Sequence, residues 1–119
     1  MGLLNRETIL QASDLKTEQV AVPEWGGDVL VSTMTGEARD AWEASLVIRK
    51  PGKAEANLSN VRARLAAATL VDETGARMFT QDDIEMLGAK SSAALDRVCK
   101  VAQRLNGLGD QDLEELKGN

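Results

Sequence analysis

The 119-residue chain contains no histidine, no tyrosine and a single cysteine, and its aromatic residues are limited to two tryptophans and one phenylalanine. Without histidine, it lacks the commonest general base near neutral pH and the commonest metal ligand. One cysteine forms neither an intramolecular disulfide nor a thiolate zinc site. These absences argue against catalysis, and they predict a core of aliphatic side chains.

The remaining groups that resemble chemical sites have structural explanations. Cys99 lies at the border of an apolar helix face, where we predict an inert packing thiol. Asp82, Asp83 and Glu85 lack the spaced ligands and central glycine of a calcium loop, and acidic residues are expected in the first turn of a helix. We therefore predict a protein that is not an enzyme and has no cofactor or metal.

Acidic residues outnumber basic ones by 19 to 14, which gives a net charge of −5. Nucleic acids and anionic membranes are bound through basic surfaces, so we expect neither as a partner. The longest apolar run, residues 65–71, is too short to cross a bilayer, and the first ten residues show no signal peptide. The sequence favours a cytoplasmic location.

The first third of the chain shows one helical and one extended pattern. Asn5 is suited to cap a short helix over residues 5–12. Two runs of alternating apolar residues flank the glycine pair at 26–27 and predict a β-hairpin, which has to lean on a helix or pair with a neighbouring molecule. The alternating residues are Val20 and Val22 before the pair, and Val29 and Val31 after it.

Apolar stripes at helical spacing follow the hairpin. They predict helices from Thr35 or Gly36 to about residue 48, from about residue 58 to residue 70, and over residues 91–105. Trp42 lies in the middle of the first stripe, where we predict a core position. The second helix is expected to be capped by Asn57 or Ser59, with Leu58 on its apolar stripe.

Shorter segments separate these helices. Residues 50–53, Lys-Pro-Gly-Lys, end the first helix and are a candidate mobile loop, while residues 72–75 predict a turn. Thr80 and Asp83 form a capping-box pattern for a short helix, and Gly88 is suited to the position after its end.

The pattern as a whole predicts an α+β fold, mostly helical, with about four helices and one small antiparallel β-hairpin near the N-terminus. We predict a single domain over residues 1–108. An acidic tail over residues 109–119 is expected to be mobile and dispensable for folding.

Five residues are candidates for partner binding. Lys90, Arg97, Lys100 and Arg104 share one side of the last long helix, which is either a solvated face or a dock for an acidic segment such as the chain's own tail. Trp25, next to the hairpin turn, either folds back onto the domain or is kept for a partner.

Several segments carry a likeness to a known family. They are residues 6–10, 22–27 (Val-Pro-Glu-Trp-Gly-Gly), 60–65, 79–84 (Phe-Thr-Gln-Asp-Asp-Ile), 95–98 and 102–108. Together they make the chain similar to the tail assembly chaperones of long, non-contractile-tailed bacteriophages, over most of residues 5 to 108.

The resemblance implies a helix-rich protein that binds the tape measure protein, keeps it soluble and helps recruit the major tail protein before the tail polymerises. It also implies a place in the cytoplasm of the infected host, absence from the mature virion, and no catalytic residues. The edges of the hairpin lead us to expect weak self-association. Two alternatives are a structural or connector subunit that stays in the tail, and a small regulatory protein-binding module.

Overall fold

The computed structural model describes residues 2–108 and has an α+β fold, which confirms the predicted class. It contains five α-helices and five strands among these residues. The helices are α1 (Arg6–Gln11), α2 (Gly36–Ser45), α3 (Val61–Thr69), α4 (Ile84–Gly88) and α5 (Ser92–Leu105). The strands are β1 (Thr17–Val22), β2 (Gly27–Ser32), β3 (Val47–Lys50), β4 (Lys53–Ala56) and β5 (Leu70–Val71).

The predicted hairpin near the N-terminus is present, but it is not alone. β1 and β2 pair antiparallel from Thr17 opposite Ser32 to Val22 opposite Gly27. β5 pairs with the other edge of β2, so the sheet has three strands in the order β1–β2–β5. The edge of β2 is therefore partly covered, and β1 is the outer strand on the other side.

The hairpin turn differs from the predicted Gly-Gly turn. Residues Pro23–Trp25 form a 3-10 turn, with Pro23 at its first position, where a fixed φ and a missing N–H are tolerated. Gly26 has a φ of 80°, which only glycine adopts readily. Gly27 already belongs to β2, so only one of the two glycines makes the turn.

The prediction of one hairpin is wrong, because β3 and β4 form a second antiparallel pair. α2 ends at Ser45 instead of continuing to residue 48, since the β-branched Val47 and Ile48 favour a strand. The predicted loop at residues 50–53 is the tight turn of this hairpin. Gly52 has a φ of 78° there and follows a proline, which suits a type II turn.

The start of α3 also differs from the prediction. Neither Asn57 nor Ser59 caps the helix, which begins after Asn60 in a left-handed conformation with a φ of 51°. Asn57 instead connects β4 to the end of α2, by donating from its amide Nδ2 to the carbonyl of Ser45 at 2.9 Å. Leu58, expected on the buried stripe, is exposed.

Three helix starts agree with the sequence. Asn5 Oδ1 accepts a hydrogen bond from the Thr8 N–H at 2.9 Å, and Ser91 caps α5. Thr80 and Asp83 form the predicted capping box before α4. These signals are local in sequence, so they do not depend on how the chain packs.

Gly88 was predicted to follow the end of α4, but it is the last residue of that helix. A Cβ atom at this position would lie 2.3 Å from the Asn60 Oδ1 and 3.7 Å from the Ala63 Cβ. The glycine therefore permits a close approach between the end of α4 and the start of α3.

The core lies between α3, α5 and the three-stranded sheet. Val22 and Val31 of the sheet are fully buried together with Val98 of α5, while α2 contributes Trp42 and Leu46. All residues of α1 are exposed, including Ile9 and Leu10. Among the described residues, the N-terminal segment thus stands apart from the core.

Candidate partner-binding site

A groove of about 380 Å³ lies between α2, α3 and the segment that precedes α4. One wall is formed by α2, which presents Ala38, Ala41, Trp42 and Ser45. Trp42 is only 6% exposed and belongs to the core, as predicted, whereas Ala41 is exposed at the groove. The indole therefore links this surface to the interior of the protein.

The opposite wall combines small apolar surface with two arginines. Its residues are Arg64, Ala67 and Ala68 of α3, followed by Arg77, Phe79, Thr80, Gln81 and Ile84. Phe79 and Ile84 are half-buried and pack against the core. Within the described part of the chain, no aspartate or glutamate lines the groove, although acidic residues are in excess in the sequence.

Both arginines are held by backbone carbonyls. Arg64 Nη2 donates to the carbonyl of Asn57 at 2.6 Å, while Arg77 donates to the carbonyl of Ala67 from Nε at 3.3 Å and from Nη2 at 3.0 Å. Within residues 2–108, neither guanidinium forms a salt bridge. Burial lowers the pKa of Arg64 below its ordinary value, but a guanidinium remains charged at neutral pH.

Two donors on the lining residues lack an acceptor in the described part of the chain. They are the indole N–H at Trp42 Nε1 and the N–H at Arg64 Nε. Leaving a buried donor without a partner costs about 1–3 kcal/mol. Both atoms are themselves shielded from solvent, so what the groove offers a ligand is the positive charge of the two arginines.

The predicted basic stripe on α5 is partly neutralised within the protein. Arg97 Nε lies 3.1 Å from a carboxylate oxygen of Glu24, and Arg104 pairs with Glu18 of β1. The hydrogen bond from Arg104 lowers the pKa of Glu18. For Glu24, its own backbone N–H is the larger cause of a lowered pKa, and Arg97 adds to it. These pairs attach α5 to β1 and to the hairpin turn.

The two lysines of the stripe differ from the arginines. Lys100 is exposed on α5, and Lys90 lies between α4 and α5. Neither lysine forms an ion pair within residues 2–108. A role in partner binding stays a prediction for all four basic residues.

Trp25, at the end of the 3-10 turn, is half-buried and packs against the core. Its indole therefore folds back onto the domain, which was one of the two predicted alternatives. Part of its surface remains accessible, and its contribution to a complex stays a prediction.

Cys99 occupies a packing position. Its side chain is buried, and burial raises the pKa of the thiol to about 12, with a further increase from Asp96 that Arg62 opposes. The Cys99 Sγ lies 3.4 Å from the carbonyl oxygen of Arg62. At neutral pH the thiol stays protonated, which makes it a poor nucleophile.

None of the helices within residues 2–108 has the length and apolarity needed to span a membrane. Residues 2–108 also contain no cluster of three or more side chains arranged to hold a metal ion.

The described residues form a small α+β domain with a groove between α2, α3 and the segment that precedes α4. A family model described as phage tail assembly chaperone matches residues 5–119. The chain belongs to this family, which confirms the resemblance seen in the sequence and points to a non-enzymatic role.

A solved structure shows a similar fold. The tail assembly chaperone of bacteriophage HK97 superposes with a TM-score of 0.60 and is 22% identical. The match covers 87% of this chain and 95% of that chain. No curated protein sequence matches the chain.

The sequence did not indicate the groove or its two arginines. Of the two arginines, Arg64 was the easier to single out from the sequence, because its charge interrupts the most apolar part of the chain. In the structure it lies between the buried Ala63 and Leu65. A charge at such a position needs a partner or a function. Arg77 follows the turn at residues 72–75 and had no comparable signal.

Proposed function

We propose that this chaperone binds the tape measure protein of its phage, keeps it soluble and helps recruit the major tail protein before the tail polymerises. The observation that carries the proposal is the apolar groove between α2 and α3. Grooves of this kind accept the apolar face of an amphipathic helix. A tape measure protein is expected to be mostly long helix with such faces, which aggregate when they are uncovered.

The proposed place of action is the cytoplasm of the infected bacterium, with the protein absent from the finished virion. A net charge of −5 supports this proposal, because it favours solubility and disfavours binding to nucleic acid. Mass spectrometry of purified particles separates it from the alternative of a tail or connector subunit, which would be found in the virion.

Co-expression tests the client. The tape measure protein expressed alone should be largely insoluble, and co-expression with this chain should bring it into solution as a complex that co-elutes on size exclusion. An unrelated acidic helical protein of similar size is the control for crowding and expression load. Unchanged solubility and no co-elution would refute the proposal and leave a regulatory module that binds another partner.

Fluorescence tests whether Trp25 lies in the contact surface. Since the chain has no tyrosine, a Trp42→Phe variant leaves Trp25 as its strong emitter. Saturation with a tryptophan-free tape measure fragment should shift the emission to the blue if the accessible part of Trp25 becomes covered. An unchanged spectrum, in a complex confirmed by co-elution, would place Trp25 outside the interface.

We also propose weak, concentration-dependent self-association. The strand edge of β2 near Val31 is partly covered by β5. The proposal of self-association is therefore supported by the free edge of the outer strand β1 within the described sheet and by the exposed N-terminal segment. Leu3, Leu4 and Leu10 of that segment are at least 66% exposed. Sedimentation over a concentration series should show oligomers, and a monomer at the highest concentration would contradict the proposal.

A further inference from the structure

We infer that the groove between α2, α3 and residues 77–84 binds an acidic amphipathic helix of the client, whose carboxylates meet Arg64 and Arg77. This inference rests on the proposed function, because it assigns the client's contact surface and chemistry. It follows from the charge and the apolar lining of the groove.

Charge is the first argument. The chain has 19 acidic and 14 basic residues, yet among residues 2–108 the groove is lined by two arginines and by no carboxylate. Both guanidiniums bond to neutral backbone carbonyls and form no salt bridge within residues 2–108. Guanidinium–carboxylate bonds are stronger than neutral hydrogen bonds, so an acidic segment is the complementary partner.

The positions of the two arginines suggest a spacing for the client's acids. Arg64 reaches toward Asn57, before the start of α3, whereas Arg77 binds the carbonyl of Ala67 near the end of α3. The two charges therefore lie toward opposite ends of a nine-residue helix, which is roughly 13 Å long. A client helix with carboxylates about two turns apart would meet both.

The lining between the arginines is suited to apolar side chains. Alanines leave space beside the larger Trp42, Phe79 and Ile84. A volume of about 380 Å³ is at the small end of the range for binding pockets, roughly 300–1,000 Å³. It accommodates a few side chains from one face of a helix, with the rest of that helix outside the groove.

A charge pair at Ala41 tests the inference with a matched control. Ala41 lines the groove on α2 and is exposed, so a longer side chain is accommodated there without disturbing the core. In the full chain, Ala41→Glu adds a negative charge facing the client's acids, while Ala41→Lys adds a side chain of similar length with the opposite charge. Both residues are good helix formers.

The affinity for a purified, soluble fragment of the tape measure protein is measured for the wild type and for both variants. We expect Ala41→Glu to weaken binding at least about tenfold, and Ala41→Lys to stay within about threefold of the wild type. Equal weakening of binding by both variants would show that the size of the side chain matters and its charge does not, and would contradict the inference that the client segment is acidic. Wild-type affinity in both would overturn the groove as the site, whereas no binding by the wild type would refute the proposed function itself.

Photo-cross-linking identifies the occupant directly. A photoreactive amino acid at position 41 should cross-link to a client segment that contains aspartate or glutamate among apolar residues. The same amino acid at position 49, which is exposed on β3 and does not line the groove, is the control for nonspecific capture. A cross-link from position 41 to residues 109–119, or to a second copy of the chain, in the presence of client would overturn the inference.

Discussion

Asn106, the residue that caps the C-terminus of α5, connects segments far apart in sequence. Its Oδ1 accepts a hydrogen bond from the Met34 N–H at 2.7 Å, and its Nδ2 donates to the carbonyls of Ala102 at 2.8 Å and Ser32 at 3.4 Å. Its backbone carbonyl accepts from Arg39 Nη1 at 2.9 Å. The residue thus holds β2 and the start of α2 against the end of α5.

Replacing Asn106 with alanine should cost about 2 kcal/mol of unfolding free energy. The half-buried Met34 N–H loses its acceptor, which costs about 1–3 kcal/mol. The carbonyl of Ala102 still accepts from the backbone N–H of residue 106 at 3.0 Å, so it adds little. The hydrogen bond from Arg39 to the backbone carbonyl of residue 106 does not involve the side chain and is kept, so it adds nothing to the loss of unfolding free energy.

Urea denaturation at pH 7 measures this cost, and hydrogen exchange at the Met34 amide locates it. Thr35→Ala is the matched control, because it removes one exposed N-cap bond from the neighbouring residue and should cost about 1 kcal/mol. We expect faster exchange at Met34 in Asn106→Ala only. A loss no larger than that of Thr35→Ala, with Met34 still protected, would refute the reasoning.

Three further predictions concern the core, the acid response and the tail. Trp42→Ala should lower the unfolding free energy by about 3–5 kcal/mol, because it empties a buried site, and Trp42→Phe should cost less by the same denaturation assay. The pKa values of Glu18 and Glu24 are lowered below 4.5 in the folded protein, that of Glu18 mainly by Arg104 and that of Glu24 mainly by its own backbone N–H. The two ionised carboxylates therefore contribute stability above pH 4.5 that is lost as the pH falls through the folded pKa. A Glu18→Gln, Glu24→Gln double variant should therefore lose less stability than the wild type between neutral and acidic pH, and equal slopes would contradict this. Deleting residues 109–119, which lie outside the described residues, should leave the melting temperature nearly unchanged, whereas a large drop would show that the tail belongs to the core.

Signals that act over a few residues were readable from the sequence. The caps at Asn5 and Thr80 formed where they were predicted, because a capping side chain needs only the backbone two or three residues away. The apolar period of α5 and the alternation of β1 were also sufficient, since each buries one consistent face. In β2 the burial does not alternate, because Val31 and Ser32 are both buried.

Segments with two compatible patterns were decided by packing. Val47 and Ile48 extend an apolar helical stripe as readily as they begin a strand, and pairing with β4 determines the outcome. Leu70 and Val71 end an apolar run that reads as helix, but β2 offers them hydrogen bonds and forms a third strand with them. Such pairing partners are distant in sequence, so local propensity does not reveal them.

The sequence by itself determined the family, the absence of the usual catalytic groups and the positions of the strongest helix and hairpin. Only the tertiary structure brought Arg64, Arg77 and Trp42 together in one groove, and only it paired Arg97 and Arg104 with carboxylates of the first hairpin. The helical spacing of the basic residues can be read from the sequence of α5 alone. The carboxylates that neutralise Arg97 and Arg104 lie more than 70 positions away in the chain, so the pairing cannot be read from it. A groove assembled from three segments exists only after the chain has folded.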